Sequence, residues 1–221
     1  MDSVAAAGRP VIGGDFFERA RARLTLDVPA ALYDLTASAA RGDLDLDPTT
    51  WERAGVAATR PAAVLVPVVA RSEPTVLLTL RTSELPSHAG QIAFPGGKID
   101  PQDRTPRAAA LREAAEEIGL PADMIDPIGY LDLYLTFSGF RILPTVARVD
   151  PDYRLTLNPS EVADAFEVPL AFLMDAQNHA LHSRDWKGVI RRYYAMPFGE
   201  RYIWGVTAGI LRNLYERLYG E

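Results

Sequence analysis

The stretch from Phe94 to Leu120 constrains this chain more than any other. Phe94-Pro95-Gly96-Gly97 is a sharp break, and an acidic loop with Asp100 and Asp103 follows it. A helix is then expected over Pro106 to Ile118. Thr105 suits the N-cap, Pro106 suits the first turn, and Gly119 suits the position just past the end. The interior, RAAALREAAEEI, consists largely of strong helix formers. Leu111, Ala114, Ala115 and Ile118 fall at i, i+3, i+4 and i+7, one apolar stripe. Glu113, Glu116 and Glu117 are then predicted to share the opposite face, close enough for a common ligand.

Three clustered carboxylates repel one another. A hard cation such as Mg²⁺ or Mn²⁺ removes that repulsion, because it prefers carboxylate oxygens. On the helix alone, a solvated acidic face with Arg112 paired to Glu116 explains the same residues. The glycines before it shift the balance. A bare backbone can approach a ligand closely and offer carbonyls to a cation or amides to phosphate.

The rest of the chain reads as mixed strands and helices. Ala62 to Ala70 and Thr75 to Arg81 are predicted strands, with a short one at Gln91 to Phe94. Further strands are expected at Tyr130 to Tyr134, Ile142 to Val149, Phe166 to Pro169 and Val189 to Met196, with a short helix ending near Met174. Ile203 to Leu218 has helical apolar spacing at 203, 207, 210, 211, 214 and 218. Residues 15–42 are expected to hold one or two helices, and residues 43–50 a polar connection, with a boundary near 60. The order suggests a three-layer α/β arrangement.

The bulk numbers exclude some functions. With 23 basic against 29 acidic side chains, the net charge is −6. No basic run exists, so no nucleic-acid partner is expected. There is no cysteine, which removes disulfides and thiolate metal sites. Pro61 to Ala70 is too short to span a bilayer, so no membrane partner is expected. Met1 to Pro10 lacks a signal pattern, so the cytoplasm is the expected location.

The second half of the glutamate segment, Arg112-Glu113-Ala114-Ala115-Glu116-Glu117-Ile118-Gly119-Leu120, resembles the Nudix box. The first half departs from it. Six positions after Gly97 stands Asp103 rather than Glu, and eight residues rather than seven precede Arg112. The resemblance implies an α/β/α sandwich with a mixed sheet over residues 61–221, after an N-terminal helical extension over 1–60. It implies metal-dependent hydrolysis of a nucleoside diphosphate linked to another group. Glu113, Glu116 and Glu117 would bind Mg²⁺ or Mn²⁺ with help from the Gly97 backbone, and Arg112 would orient the glutamates.

Upstream, Leu77-Leu78-Thr79-Leu80-Arg81, Leu85, His88, Gly90-Gln91-Ile92 and the FPGG turn resemble the signature of the coenzyme A pyrophosphatases of that family. Leu157 to Val162, Phe166 to Leu170 and Ile203-Trp204-Gly205 resemble them too, whereas Pro86 stands where a basic residue is often found. The implied substrate is coenzyme A or a derivative, cleaved to 3′,5′-ADP and 4′-phosphopantetheine. The alternatives are another nucleotide (ADP-ribose, NADH or a nucleoside triphosphate) and a binding module without catalysis.

Substrate binding is expected at Arg81, His88, Gly96, Gly97 and Lys98, with the arginine and lysine meeting phosphate. His88 either donates to phosphate or polarises a water, or is a structural loop histidine, the commoner case for a lone loop histidine. Glu161 is either a general base or a helix-start glutamate paired with Asn158. The terminal helix packs the core or forms a homodimer contact.

Overall fold

The computed structural model describes residues 15–33, 59–136, 138–186 and 189–220. An eight-stranded mixed sheet forms the centre, with strands in the order β3 (Ile92–Ala93), β2 (Thr75–Arg81), β1 (Arg60–Val69), β7 (Phe140–Val149) and β5 (Ile125–Tyr130) along its main path. The valine-rich run makes β1 (Arg60–Val69). It lies parallel to β7 (Phe140–Val149) over its whole length, from Arg60↔Phe140 to Val69↔Val149. A tight turn returns the chain into β2 (Thr75–Arg81), antiparallel to β1. β8 (Val162–Pro169) pairs with β2. β5 (Ile125–Tyr130) and β6 (Tyr134–Leu135) both pair with β7.

Two short strands place the glycine turn. β3 (Ile92–Ala93) pairs with β2, and β4 (Gly96–Lys98) crosses over to pair with β1 at Ala62 to Val64. The Pro95 carbonyl accepts from the Leu65 N–H at the crossing.

Strand periodicity sends alternate side chains to opposite faces. Ala63, Leu65 and Val69 of β1 pack beneath α2 (Pro106–Ile118), with Ala110, Ala114 and Ile118 above them. Val66 and Val68 face the other layer. That layer holds α1 (Phe16–Arg23), the single turn α3 (Leu170–Leu173) and the terminal helix, through Phe16, Ala20, Leu173, Leu211 and Leu214. Each fully buried leucine or valine stabilises the fold by about 1.5–3 kcal/mol. The result is the expected α/β/α sandwich on a mixed sheet. A second, three-stranded sheet of β9 (Ala180–Trp186), β10 (Val189–Phe198) and β11 (Arg201–Trp204) precedes α4 (Val206–Tyr219). Among the described residues, no helix is long and apolar enough to cross a membrane.

Several expectations need correction. The strand expected over Tyr130 to Tyr134 is interrupted at 131–133. There Asp132 is captured by Asn213 of α4: its N–H donates to Asn213 Oδ1 at 3.2 Å, and Asn213 Nδ2 donates back to Asp132 Oδ2 at 2.7 Å. Ile203 belongs to β11, paired with Met196, and the helix starts only after Gly205. Its place in the apolar spacing reflects burial from a strand. β8 begins at Val162 rather than Phe166, because β2 offers a partner along its full length. Of residues 15–42, the helix expected there covers Phe16–Arg23 and an extended run through Pro29 leads into a 3₁₀ turn (Ala30–Leu32), while 34–42 lie outside the described residues. The polar connection at 43–50 lies outside the described residues.

One polar cluster ties the sheet together. Glu167 of β8 accepts from Arg71 Nε and Nη2 at 2.7 and 2.6 Å, from the Thr75 hydroxyl, and from the Tyr153 hydroxyl at 2.5 Å. The Arg71 guanidinium, with the two hydroxyls, holds this carboxyl at about 2 instead of its ordinary 4.5. A depressed carboxylate pKa gives stability that is present above 4.5 and lost as pH falls toward 2. Glu167→Gln is therefore expected to lower unfolding free energy by about 2 kcal/mol at pH 7. Denaturant melts at pH 7 and pH 2.5 check this, with the difference shrinking at the lower pH.

Candidate active site

Helix α2 begins as its sequence predicts. Thr105 Oγ1 accepts from the Ala108 N–H at 3.2 Å, and Gly119 ends the helix at φ 65°. Its faces are set differently. The buried side carries Pro106, Ala109, Ala110, Ala114, Glu117 and Ile118, whereas Leu111 is half-buried and Ala115 exposed. The three glutamates therefore do not share one outer face. Glu117 is 3% exposed and turned to the sheet, Glu113 is half-buried one turn earlier, and Glu116 stands on the exposed flank.

The glycine turn causes this rotation. A Cβ on Gly97 would lie 2.5 Å from the Glu113 carboxyl carbon, and one on Gly96 would lie 2.5 Å from the Ala63 carbonyl oxygen. Only bare backbone lets β4 slip between β1 and the glutamates. The Gly96 N–H then donates to Glu117 Oε2 at 3.2 Å.

Arg112 joins the acidic groups. Its Nε and Nη2 donate to the two oxygens of Asp103 at 3.2 and 3.0 Å. Its Nη1 donates to Glu113 at 2.9 Å and to Glu116 at 3.0 Å, and Nη2 also reaches the Lys98 carbonyl at 3.2 Å. The extra loop residue does not prevent this. Asp103 N–H donates to the Asp100 carbonyl, and Asp100 N–H donates back to Asp103 Oδ2 at 2.8 Å. That turn carries the short side chain up to the arginine, whose hydrogen bonds pull the Asp103 pKa below its ordinary value.

A cavity of about 650 Å³ opens beside these groups. Of the predicted residues, Arg81, His88, Gly96, Gly97, Lys98, Glu113, Glu117 and Glu161 all line it. Arg112 and Glu116 are not among the lining residues; they pair with each other at 3.0 Å beside Glu113. His88 Nδ1 lies 2.9 Å from Gln91 Oε1, on an exposed loop. Arg81 Nη1 is 3.8 Å from Glu117 Oε1, and its buried Nε has no hydrogen-bond partner among the described residues.

Glu161 is no helix-start residue, since strand β8 follows it directly. Asn158 Nδ2 donates to one of its oxygens at 3.2 Å. The loop carrying it is tied to α2 through Asn158 N–H and the Glu117 carbonyl, and to the residue just past β2 through Thr82 N–H and its own carbonyl. Sequence reasoning missed Thr136, Ser138 and Thr207 in the lining, and gave no role to Trp204. Threonine and serine carry no spacing signal, and Trp204 stood out only within a family-like segment.

The electrostatics favour a cation. Burial pushes the Glu117 carboxyl up to about 7, with the negative charges of Glu113 and Glu161 adding to the effect against the Gly96 N–H and Arg81. Burial also raises Glu113, helped by Glu116 and Glu161 and opposed by Arg112. Among the described residues, no three acidic or histidine groups stand close enough to enclose a metal alone. Mg²⁺ does not require that. It binds through one or two carboxylates and completes its shell with water and substrate phosphate. Glu113 and Glu117, with an open cavity before them, fit such an ion.

A model of the NUDIX domain matches residues 59–188. A relative described as "Uncharacterized Nudix hydrolase NudL", from Yersinia pestis (strain Pestoides F), is 41% identical over 164 residues, covering 73% of this chain and 81% of the relative. The protein of the same description from Yersinia pseudotuberculosis serotype O:1b (strain IP 31758) matches to the same extent. Among solved structures, a Nudix hydrolase from M. smegmatis, RenU, aligns at TM-score 0.43 with 25% identity, covering 50% of this chain and 71% of that one.

Proposed function

The chain belongs to the Nudix family, and from that premise we propose that it hydrolyses the diphosphate bond of coenzyme A or an acyl derivative, giving 3′,5′-ADP and 4′-phosphopantetheine or its acyl form. The coarser statement, a pyrophosphohydrolase acting on a nucleoside diphosphate derivative, follows from the family itself. One observation carries the finer reading. The segment that resembles the coenzyme A signature, through Arg81, His88 and Gln91, lines the same cavity as Glu113 and Glu117. The cavity volume suits a substrate of this size, within the roughly 300–1,000 Å³ of small-molecule sites.

Each residue then has a task. Glu113 and Glu117 would hold Mg²⁺ or Mn²⁺, with Glu116 and the Gly97 backbone as further oxygen donors. The ion supplies charge neutralisation at the diphosphate and acidifies water. Arg81, whose Nε has no partner among the described residues, and Lys98 meet phosphate oxygens. Arg112 and Asp103 keep the glutamates in place. Glu161 accepts the proton of the attacking water, whose oxygen joins one phosphorus as the bridging P–O bond breaks. His88 donates to a phosphate oxygen.

The test is a hydrolysis panel with Mg²⁺ or Mn²⁺. Coenzyme A is expected to give the highest kcat/KM against ADP-ribose, NADH and nucleoside triphosphates. Preference for any other member removes coenzyme A as the substrate and leaves the family chemistry standing.

A further inference from the structure

Part of the cavity wall has no task in the chemistry above. The lining residues from 136–142 and 204–210 include Phe140, Ile142, Trp204, Val206 and Ile210, and none of them is charged. Among the described residues, every charged lining group comes from residues 81–117 or from Glu161. The diphosphate therefore belongs with the latter, and something apolar or uncharged belongs with the former.

Trp204 is the largest side chain in this wall, and 37% of it is left open to solvent. An exposed tryptophan at a cavity is unusual for packing alone and suits a planar partner. Trp204 is also held firmly. It ends β11, opposite the small Ala195 of β10. Gly205, at φ 65°, turns the chain straight into α4, with its N–H bonded to the Tyr194 carbonyl at 3.0 Å. One turn of α4 is anchored where Thr207 Oγ1 donates to the Ile92 carbonyl at 2.9 Å. Ile92 lies on β3, the strand leading into the glycine turn, so Trp204 and Gly96-Gly97 are referenced to one short segment.

Other rings support it. Tyr193 meets Trp204 edge-on, centroids 5.6 Å apart at 71°, and His182 stacks on Tyr193 at 5.6 Å and 24°. Strand alternation puts all three on one face of the small sheet, while Met196 and Ile203 on the other face are buried in the core.

We propose that Trp204, buttressed by Tyr193, is the stacking platform for the heteroaromatic base of the nucleotide, and so fixes which end of the substrate enters this side of the cavity. This rests on the nucleoside-diphosphate reading of the site but not on coenzyme A in particular. An uncharged aromatic wall beside the hydroxyls of Thr136 and Ser138 matches a base, which offers a π-face and hydrogen-bonding edges, better than it matches a phosphate.

Calorimetric binding of AMP, ribose 5-phosphate and 4′-phosphopantetheine to the full chain tests this. Trp204→Leu is expected to weaken AMP about tenfold and to leave ribose 5-phosphate and 4′-phosphopantetheine within about twofold. Trp204→Phe, which keeps a ring, is expected to retain AMP binding. AMP should quench tryptophan fluorescence of the wild type, and that quench should vanish in Trp204→Phe. The proposal is overturned if AMP binds Trp204→Leu unchanged, if ribose 5-phosphate is lost in parallel, if 4′-phosphopantetheine alone is weakened, or if the quench persists in Trp204→Phe. Should Trp204→Leu fail to fold, the quench and retention in Trp204→Phe decide. The hydrolytic reading fails separately, if wild type binds AMP through Trp204 yet cleaves no nucleoside diphosphate derivative.

Discussion

Glu117→Gln is expected to lower kcat roughly 10³-fold in Mg²⁺ or Mn²⁺, with the protein still folded. Gln keeps the size of the side chain and an oxygen that can accept from the Gly96 N–H. Only the negative charge is lost. That charge is costly to the empty protein, since burial drives its pKa from 4.5 to about 7. A raised carboxylate pKa gives stability that is full below 4.5 and is lost as pH climbs through 7. At pH 8 the buried anion is a burden, so the neutral variant is expected to be more stable than wild type by about 2 kcal/mol without metal. Rate assays and thermal melts at pH 8 therefore read in opposite directions. A variant that is both slower and less stable would mean that Glu117 is structural.

That opposition explains what was legible in the sequence. The caps of α2 were readable because Thr105, Pro106 and Gly119 act locally. β2 was readable from its own residues, because burial on both faces leaves a continuous apolar run. The orientation of α2 was not. Alanine stands at 108, 109, 110, 114 and 115, so apolar spacing fits more than one stripe. The choice is made by contact with Gly96 and Gly97, which are tertiary neighbours. The sequence pattern put Glu117 on the solvent side, whereas close packing puts it at the sheet. Ile203 misled for a related reason: one buried residue fits a helical spacing as well as a strand, and Gly205 between it and Val206 was the better signal. β9 and β11 escaped because Arg184, Asp185 and Arg201 interrupt any alternation there. The acids, arginines and glycines that line the charged side of the cavity were visible as a motif, but its uncharged wall was not. Stacking and hydroxyl contacts leave no fixed spacing.

Arg112→Lys is expected to reduce kcat about 10²-fold, as loss of a positioning group beside metal ligands does, with little change in KM. The guanidinium serves four partners at once: both oxygens of Asp103, Glu113, Glu116 and the Lys98 carbonyl. A lysine ammonium carries the same charge but no planar fork, and it cannot hold the acid of the loop and the acids of the helix together. Glu113 would then be free to turn away from the cavity, and Glu116 to solvent. The family spacing places a longer acid one residue nearer to the arginine. Here the hydrogen-bonded turn from Asp100 to Asp103 closes the gap, so the shorter acid suffices. It follows that Asp103→Asn and Arg112→Lys should not add. Once the fork is gone, the carboxylate of Asp103 has nothing left to fix, and the double variant should be no slower than Arg112→Lys within about twofold. Additive losses in steady-state kinetics would mean that Asp103 acts on the site by a route other than Arg112.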